Sequence, residues 1–376
     1  MGNYSVSDTL PEATPAGTVL KITEVHDWAQ IYADGKLLAR LDRRKGEFTT
    51  TLPALKKGTQ LDILVEAMGR VNFDKSIHDR KGITEKVELV SGNQAKELKN
   101  WTVYNFPVDY SFIKDKKYND TKILPAMPAY YKSTFKLDKV GDTFLDMSTW
   151  GKGMVWVNGH AMGRFWEIGP QQTLFMPGCW LKEGENEILV LDLKGPAKAS
   201  IKGLKKPILD VLREKAPETH RKDGEKLKLA GEKVTYEGAF TPGNGWQEVR
   251  FAAPAKGRYF CLEALSPQAN DNIAAVAEFD VLGADGKPVS REHWKIRYAN
   301  SEETRSGNRT ADKIFDLQES TFWMTVDNVP YPHQLVIDLS KVETVTGFRY
   351  LPRAEKEYPG MIKEYRVYVK SADFNY

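Results

Sequence analysis

The sequence contains only two cysteines in 376 residues, Cys179 and Cys261. Because they lie far apart, they argue against a disulfide framework, and both are predicted to be buried thiols. No apolar run approaches the roughly 18 residues that a membrane-spanning helix needs. The first four residues have neither a basic region nor an apolar core, so they predict no signal peptide. These features assign no cellular compartment.

The sequence also has no large excess of positive or negative charge. The formal net charge is +3, and the lysines and arginines are scattered among acidic residues, which argues against a nucleic-acid-binding protein. No two of the six histidines stand four residues apart, and no Cys-x-x-Cys is present, so no zinc site is predicted. The nucleophile-elbow, P-loop and dinucleotide-binding motifs are absent too.

Helical periodicity is nearly absent. Residues 207–212 carry the one good helical pattern, with proline at the first turn, where a helix tolerates it. Elsewhere apolar residues alternate, and Asp34-Gly35 and Asn158-Gly159 are typical hairpin turns because both positions need positive φ. The pattern predicts an all-β protein of three tandem β-sandwiches, with a short helix in a linker.

The aromatic-rich stretch of residues 150–180 holds one of these hairpins. Two strands flank a glycine-rich segment that carries Arg164 and Trp166. Aromatic faces beside arginine are suited to pyranose rings, since C–H faces pack on rings and hydroxyls need donors. The same residues are equally suited to the packed rim of a sandwich, and the two alternatives stay open here.

Composition and strand spacing set the predicted boundaries. The first sandwich spans residues 1–92, the second 93–195, the linker with its helix 196–228, and the third sandwich 229–376.

Two groups of motifs resemble one enzyme family. H-D-W-A-Q-I-Y-A-D-G-K, E-A-M-G-R-V-N-F and D-R-K-G-I occur in the first sandwich, and G-K-G-M-V-W-V-N-G-H-A-M-G-R-F-W-E-I-G-P-Q-Q-T-L-F-M-P-G-C-W in the second. In this order they resemble the galactose-binding-like, jelly-roll β-sandwiches of family 35 glycoside hydrolases, the β-galactosidases, over about residues 10–195. The resemblance implies a parent enzyme that hydrolyses terminal β-galactosides and lies in the periplasm or outside a bacterial cell.

The family's catalytic centre implies two glutamates in a (β/α)8 barrel that precedes the sandwiches. Such a barrel needs about 250 residues of alternating strand and helix, which this sequence does not contain. Asn186-Glu187 imitates the family's catalytic dipeptide, but it opens a sandwich strand and is interpreted as a turn. No catalytic residue is therefore assigned, and the chain alone is expected to be inactive.

Phe73 departs from the pattern of some family members, which have a tyrosine near the sugar at this position. Phenylalanine cannot donate a hydrogen bond. In the intact enzyme Phe73 would lie near the parent active site and shape the mouth of the barrel, and otherwise it packs in a loop.

The third sandwich resembles the discoidin or coagulation factor 5/8 type C domain, a fold shared with carbohydrate-binding modules of family 32. The similarity lies in Ala311, Asp316, Thr321 and Trp323, although Leu317 replaces the usual glycine. The strand pair that closes such a domain stands upstream instead, at residues 258–265 and 277–281. Residues 229–376 are therefore predicted to form one circularly permuted sandwich, since domain termini often lie close together. The rival interpretation is two incomplete β units.

The same resemblance implies a structural calcium ion, held by Asp316, Thr321, Glu278 and backbone carbonyls. Calcium prefers six to eight oxygen ligands, which such residues supply. No other cofactor is predicted. The alternative gives Asp316 a turn-capping role and places Glu278 on a strand surface.

Carbohydrate contacts are predicted at Arg164 and Trp166 in the second sandwich, and at Arg353 and Tyr358 in the third. Trp156 and Trp323 are interpreted as core residues. The chain is thus expected to brace its missing catalytic barrel and to bind a β-galactoside-containing glycan. A stand-alone glycan-binding or adhesion module and purely structural packing domains are the alternatives, and nucleic acid and membrane spans are not expected.

Overall fold

The computed structural model describes residues 3–70, 72–73, 77–92, 94–106, 108–120, 124, 127–354 and 359–376. The chain divides into two compact units. The first unit combines Met1–Asn105 with Ala216–Tyr376, and the second is Phe106–Lys215. The protein is all-β, as predicted. No helix among the described residues is long and apolar enough to cross a membrane.

The first sandwich pairs two antiparallel sheets over a core of alternating apolar residues, among them Leu20, Ile22, Ile31 and Ile63. One sheet has the order β4-β3-β6-β1-β9 and the other β5-β2-β7-β8. The strands are β1 (Asn3–Thr9), β2 (Val19–His26), β3 (Trp28–Ala33), β4 (Lys36–Asp42), β5 (Thr49–Thr51), β6 (Gln60–Glu66), β7 (Gly82–Ser91), β8 (Gln94–Leu98) and β9 (Thr102–Phe106). A 3-10 helix, Arg43–Lys45, follows β4.

The first sandwich extends beyond its predicted end at residue 92. β8 and β9 were expected in the second sandwich, but they are edge strands of the first. Leu98 is buried in the first core, and Trp101 packs against it. The indole of Trp101 also donates to the Leu98 carbonyl at 3.1 Å. These apolar contacts explain why the chain does not leave the first sandwich at the predicted boundary.

The second unit is a smaller sandwich whose core contains Trp150, Val155, Met176 and Val190. Its sheets have the orders β10-β15-β12-β13 and β14-β11-β16. The elements are α1 (Tyr110–Ile113), β10 (Ala129–Leu137), β11 (Thr143–Asp146), β12 (Lys152–Val157), β13 (His160–Trp166), β14 (Thr173–Met176), a 3-10 helix (Gly178–Trp180), β15 (Gly184–Asp192) and β16 (Lys202–Leu204). The predicted Asn158-Gly159 turn joins β12 to β13, with φ of 48° and 87°.

The helix predicted at residues 207–212 is wrong. The segment is irregular, and its backbone bonds to the loop before β14: Gln172 N donates to Ile208 O at 2.9 Å, and Val211 N donates to Pro170 O at 3.0 Å. Leu209 and Leu212 are 55% and 62% exposed. An isolated short helix is marginal without a face to bury, so these loop hydrogen bonds prevail over the helical pattern.

The third sandwich holds the largest core of the molecule, which includes Phe260, Phe279, Ile314 and Trp323. Its main sheet has the order β17-β24-β18-β23-β20, with β21 also on β23, and β19 pairs with β22. The elements are β17 (Tyr236–Ala239), β18 (Gln247–Ala264), β19 (Ala275–Val276), β20 (Glu278–Leu282), β21 (Lys295–Ala299), a 3-10 helix (Ala311–Phe315), β22 (Trp323–Met324), β23 (His333–Leu351) and β24 (Glu364–Lys370). The upstream strands β18 and β20 thus share one sheet with β23, the arrangement that the permuted interpretation requires. Circular permutation itself stays a prediction.

The two cysteines differ in environment. Cys261 is buried, as predicted, whereas Cys179 is exposed. Cys179 lies in the 3-10 helix after Pro177-Gly178, at the rim of the second unit, so its predicted burial is wrong.

Candidate functional site

Asp316 ends the 3-10 helix Ala311–Phe315 and organises the loop that follows it. Its carboxylate accepts the Gln318 amide at 3.0 Å and the Thr321 hydroxyl at 2.8 Å. The Thr321 oxygen also lies 3.0 Å from the Gln318 carbonyl. Leu317 has φ of 67°, a left-handed conformation that favours glycine. Leu317 therefore adopts a backbone conformation that glycine adopts more easily, at some conformational cost.

Glu278 opens β20 and is 2% exposed. One carboxylate oxygen pairs with the Arg291 guanidinium, which also bonds Asp280 at 2.6 Å. The other oxygen, Oε1, is buried and has no hydrogen-bond partner among the described residues. The backbone amide of Gln318 donates to Asp316, and it also lowers the pKa of Glu278. This loop therefore brings the two carboxylates together.

Both carboxyls carry raised pKa values. Burial raises the pKa of Asp316 well above its usual range, and the negative charge of Glu278 raises it further. The Lys313 ammonium has the opposite effect, but it is smaller. Burial also raises the pKa of Glu278, and the Arg291 guanidinium opposes this shift. We call these residues, with Thr321, Asp280, Arg291 and Lys313, the Asp316 cluster. Its two central carboxylates are poorly solvated, and Arg291 and Lys313 do not fully offset the effect of burial on their pKa values.

The oxygen atoms of this cluster fit a hard divalent cation. Two carboxylates, the Thr321 hydroxyl and the Gln318 carbonyl are the ligand types that calcium takes. Glu278 Oε1 receives no hydrogen bond among the described residues, so it is available as a cation ligand. No group of three or more His, Cys, Asp or Glu in the described part of the chain is placed to hold a metal. The fit therefore needs the hydroxyl and the carbonyl as well. Lys313 Nζ, 3.8 Å from Asp316, supplies part of the positive charge.

The loop of the Asp316 cluster also packs against the first sandwich. Gln318 Nε2 donates to Ile22 O of β2 at 3.2 Å in a buried position. Lys313 Nζ donates to Gly46 O at 3.3 Å, and Asn308 Nδ2 donates to Lys45 O at 2.9 Å. The first and third sandwiches are thus joined directly beside the two carboxylates.

A second buried ionic cluster lies in the first sandwich, and we call it the Asp27 cluster. Asp27, 2% exposed, accepts from Lys81 at 2.7 Å, Arg43 at 2.9 Å and the Met68 amide at 2.7 Å. Arg43 and Lys81 also pair with Asp79 at 2.7 and 2.8 Å. Burial would raise the pKa of both carboxyls, but the two cations prevail and hold them below their usual values. The cluster fastens the ends of the loop that carries Phe73.

Phe73 is 78% exposed and so does not pack in its loop. Trp166 ends β13 with the Lys152 ammonium 3.9 Å from its ring centroid, and Arg164 lies two residues earlier on the same strand. In the third sandwich the Arg353 guanidinium lies 4.3 Å from the Phe322 ring centroid. Tyr358 lies outside the described residues. The carbohydrate roles of these residues stay predictions.

Trp156 and Trp323 are core residues, as predicted, but Asn186-Glu187 is not the predicted turn, because it lies inside β15. Trp156 and Trp323 are 2% and 1% exposed. The Trp323 indole donates to Ser301 O at 3.0 Å. Asn186 is fully buried and bonds Asn158 at 2.8 Å. Glu187 pairs with Lys132 and accepts from Tyr110, whose pKa this hydrogen bond raises to about 12.

One aromatic residue was missed. Trp246 stands 36% exposed beside the Asp316 cluster, and its indole donates to Glu319 at 3.2 Å. The Arg349 guanidinium covers part of the ring, 4.6 Å from its centroid. The available signal was its position between the glycine-rich segment Pro242–Gly245 and the start of β18 at Gln247.

Comparison with known families defines the class of these domains. Residues 4–108 match "Beta-galactosidase, first all-beta domain", residues 128–186 match "Beta-galactosidase, galactose-binding domain", and residues 298–376 match "F5/8 type C domain". The chain therefore carries the non-catalytic β-domains found in β-galactosidases, followed by an F5/8 type C domain. No catalytic domain is matched.

Individual relatives give the same assignment. The chain is 34% identical to human "Beta-galactosidase-1-like protein 2" over 180 residues, covering 46% of this chain and 27% of the relative. It is 35% identical to human "Beta-galactosidase-1-like protein 3" over 189 residues, covering 49% and 28%. Bovine "Beta-galactosidase" is 33% identical over 245 residues, covering 57% and 34%. The chain thus spans about a quarter to a third of the length of these relatives.

Proposed function

We propose that this chain is the accessory β-domain region of a family 35 β-galactosidase, and that it braces a catalytic barrel and binds carbohydrate. The observation that carries the proposal is the colinear match of residues 4–108 and 128–186 to two β-galactosidase domains. The parent enzyme then hydrolyses terminal β-galactosides with two glutamates of a barrel that these domains adjoin.

The bracing role is supported by apolar side chains that the first sandwich leaves exposed. Val103 and Tyr104 of the edge strand β9 are 57% and 56% exposed, and Phe73 is 78% exposed. Isolated exposed apolar residues are common, but an apolar edge strand is a typical contact surface.

The carbohydrate role belongs to the F5/8 type C domain in this proposal, and calcium supports it structurally. Asp316, Glu278 and Thr321 would hold the ion with the Gln318 carbonyl. The ion would supply positive charge between two buried carboxylates and so fix the loop that joins the first and third sandwiches. The Glu278 oxygen that lacks a donor supports this assignment.

Two assays on the purified chain test the proposal. A galactoside assay should detect no turnover, and measurable turnover would show that a catalytic pair has been overlooked. A glycan array, run with calcium and with EDTA, should show binding that EDTA weakens. Equal binding under both conditions favours a calcium-independent adhesion module, and no binding under either leaves only structural packing.

A further inference from the structure

A groove runs between the first and third sandwiches, beside the loop of the Asp316 cluster. It consists of two adjoining cavities of about 450 and 710 Å³, and Arg291 and Leu317 line both. One wall is the sheet β5-β2-β7-β8 of the first sandwich, and the other is formed by residues 287–292 and 312–320. We call it the interdomain groove. Each cavity lies within the range of about 300–1,000 Å³ that is typical of small-molecule sites.

Trp246 gives the smaller cavity an aromatic wall. Its ring is held in place by two contacts, because the indole N–H donates to Glu319 and the Arg349 guanidinium lies on the ring. Arg349 is itself bonded to Asp280 at 2.9 Å. A partly exposed aromatic ring that is fixed before binding loses little side-chain entropy when a ligand packs on it.

Both sandwiches contribute uncharged hydrogen-bonding groups to the groove. Thr23 and Ser320 line the smaller cavity, and the Thr49–Thr51 strand and Gln94 line the larger one. Hydroxyls and amides donate and accept, so they suit a ligand that carries many hydroxyl groups.

The charged groups of the groove are mostly paired within the protein. Arg291 bonds Glu278 and Asp280, Lys86 pairs with Glu88 at 2.8 Å, and Glu24 contacts His26 at 2.8 Å. Seven acidic and five basic residues line the two cavities, so the groove disfavours an anionic ligand.

We propose that the interdomain groove binds a neutral oligosaccharide, with a pyranose ring packed on Trp246 and further hydroxyls bonded along the larger cavity. The combination of a fixed aromatic ring and uncharged donors and acceptors from two domains carries this assignment. It rests on the proposed carbohydrate-binding role and specifies both the site and the class of sugar.

The test uses the full chain in calcium on an array of neutral β-galactosides printed beside their sialylated counterparts. We expect the neutral glycans to bind, and Trp246→Ala to weaken that binding about tenfold, the factor that corresponds to about 1.4 kcal/mol. Trp246→Phe keeps a ring and should retain most of the binding. Thr51→Trp fills the larger cavity from an exposed strand position and should also weaken binding. The matched control, Phe175→Ala, removes an aromatic residue that is 51% exposed in the second unit and should change nothing.

Each result has one meaning. If the wild-type chain binds glycans and neither Trp246→Ala nor Thr51→Trp weakens the binding, the groove assignment is wrong while the carbohydrate role stands. A preference for the sialylated glycans would overturn the neutral class of ligand. No binding to any glycan would overturn both the carbohydrate role and the groove. Unchanged melting temperatures of the variants separate a loss of contact from a loss of folding.

Discussion

The Asp27 and Asp316 clusters use the same residue types in two sandwiches of one unit, yet their carboxyls shift in opposite directions. Asp27 and Asp79 share Arg43 and Lys81, and their pKa values fall. Glu278 and Asp316 are more poorly matched, and their pKa values rise. Burial opposes ionisation in both places, so the supply of nearby cations decides the outcome. In the first cluster the two cations outweigh the effect of burial on the pKa values, whereas in the second Arg291 and Lys313 do not.

Breaking the Asp27 cluster should have the largest effect. Asp27→Ala leaves Arg43 and Lys81 with a single carboxylate and removes the acceptor of the Met68 amide. We expect a loss of about 3–5 kcal/mol in the free energy of unfolding, since the remaining buried charges lose their partner. Urea unfolding measures it. Asp8→Ala, at a more exposed position of β1, should cost less than about 0.5 kcal/mol. Equal effects of the two substitutions would show that the cluster is not a stabilising centre.

Neutralising a carboxylate of the Asp316 cluster should increase the free energy of unfolding when no metal is present. In EDTA, Asp316→Asn removes one of two repelling buried carboxylates, and we expect a gain of about 1–2 kcal/mol in stability. Thermal unfolding measures it, with Asp312→Asn as the control, since the Asp312 side chain is 41% exposed. Destabilisation by Asp316→Asn in EDTA would mean that Lys313 already balances this carboxylate.

The stability difference between Asp316→Asn and the wild-type chain should depend on pH. A folded-state pKa above the unfolded value means that ionisation of Asp316 destabilises the fold as the pH rises, from about 4 up to the raised folded pKa. In EDTA the advantage of Asp316→Asn should therefore be present at pH 7 and vanish near pH 4. Glu278, Lys313 and Arg291 share the site and are chemically unchanged in the variant, but Glu278 no longer faces the Asp316 charge. A melting-temperature difference that stays constant between pH 4 and pH 7 would contradict the raised pKa.

The contact between the sandwiches should give the smallest effect. Gln318→Ala removes the buried hydrogen bond to Ile22 O, and we expect a loss of about 1 kcal/mol. Gln247→Ala removes three exposed hydrogen bonds between the Gln247 side chain and Thr241 and serves as the control for thermal unfolding. If the two substitutions cost the same, the loop does not depend on its contact with the first sandwich.

Local patterns predicted much of the fold. Asp34-Gly35 and Asn158-Gly159 form the expected hairpin turns with positive φ, because this requirement is a property of the residues themselves. Trp156 occupies a core position as its strand pattern indicates, and Trp323 occupies the core position that the family resemblance implies. The helix at residues 207–212 failed because hydrogen bonds to a distant loop decided its conformation, and no local pattern reports such bonds.

The candidate site was predicted from family resemblance more than from local pattern. The motifs placed Asp316 and Thr321 on one loop, and the permuted order paired them with Glu278 from a preceding strand. The F5/8 type C match covers only residues 298–376, whereas β18 and β20 of the same sheet precede it. The bond from Gln318 to Ile22 and the place of Trp246 in the interdomain groove were not predicted. They depend on how two sandwiches pack, which strand periodicity does not encode.

Calorimetric titration of calcium into the EDTA-treated chain tests most directly whether the Asp316 cluster requires an added cation. We expect one binding event that raises the melting temperature and is lost in both Asp316→Asn and Glu278→Gln. It should persist in Asp312→Asn. At free calcium one hundred times the dissociation constant, the stabilisation should be about 2.7 kcal/mol. Absence of binding heat together with an unchanged melting temperature would show that Arg291 and Lys313 complete the cluster by themselves, and the distinction between the two clusters would fail.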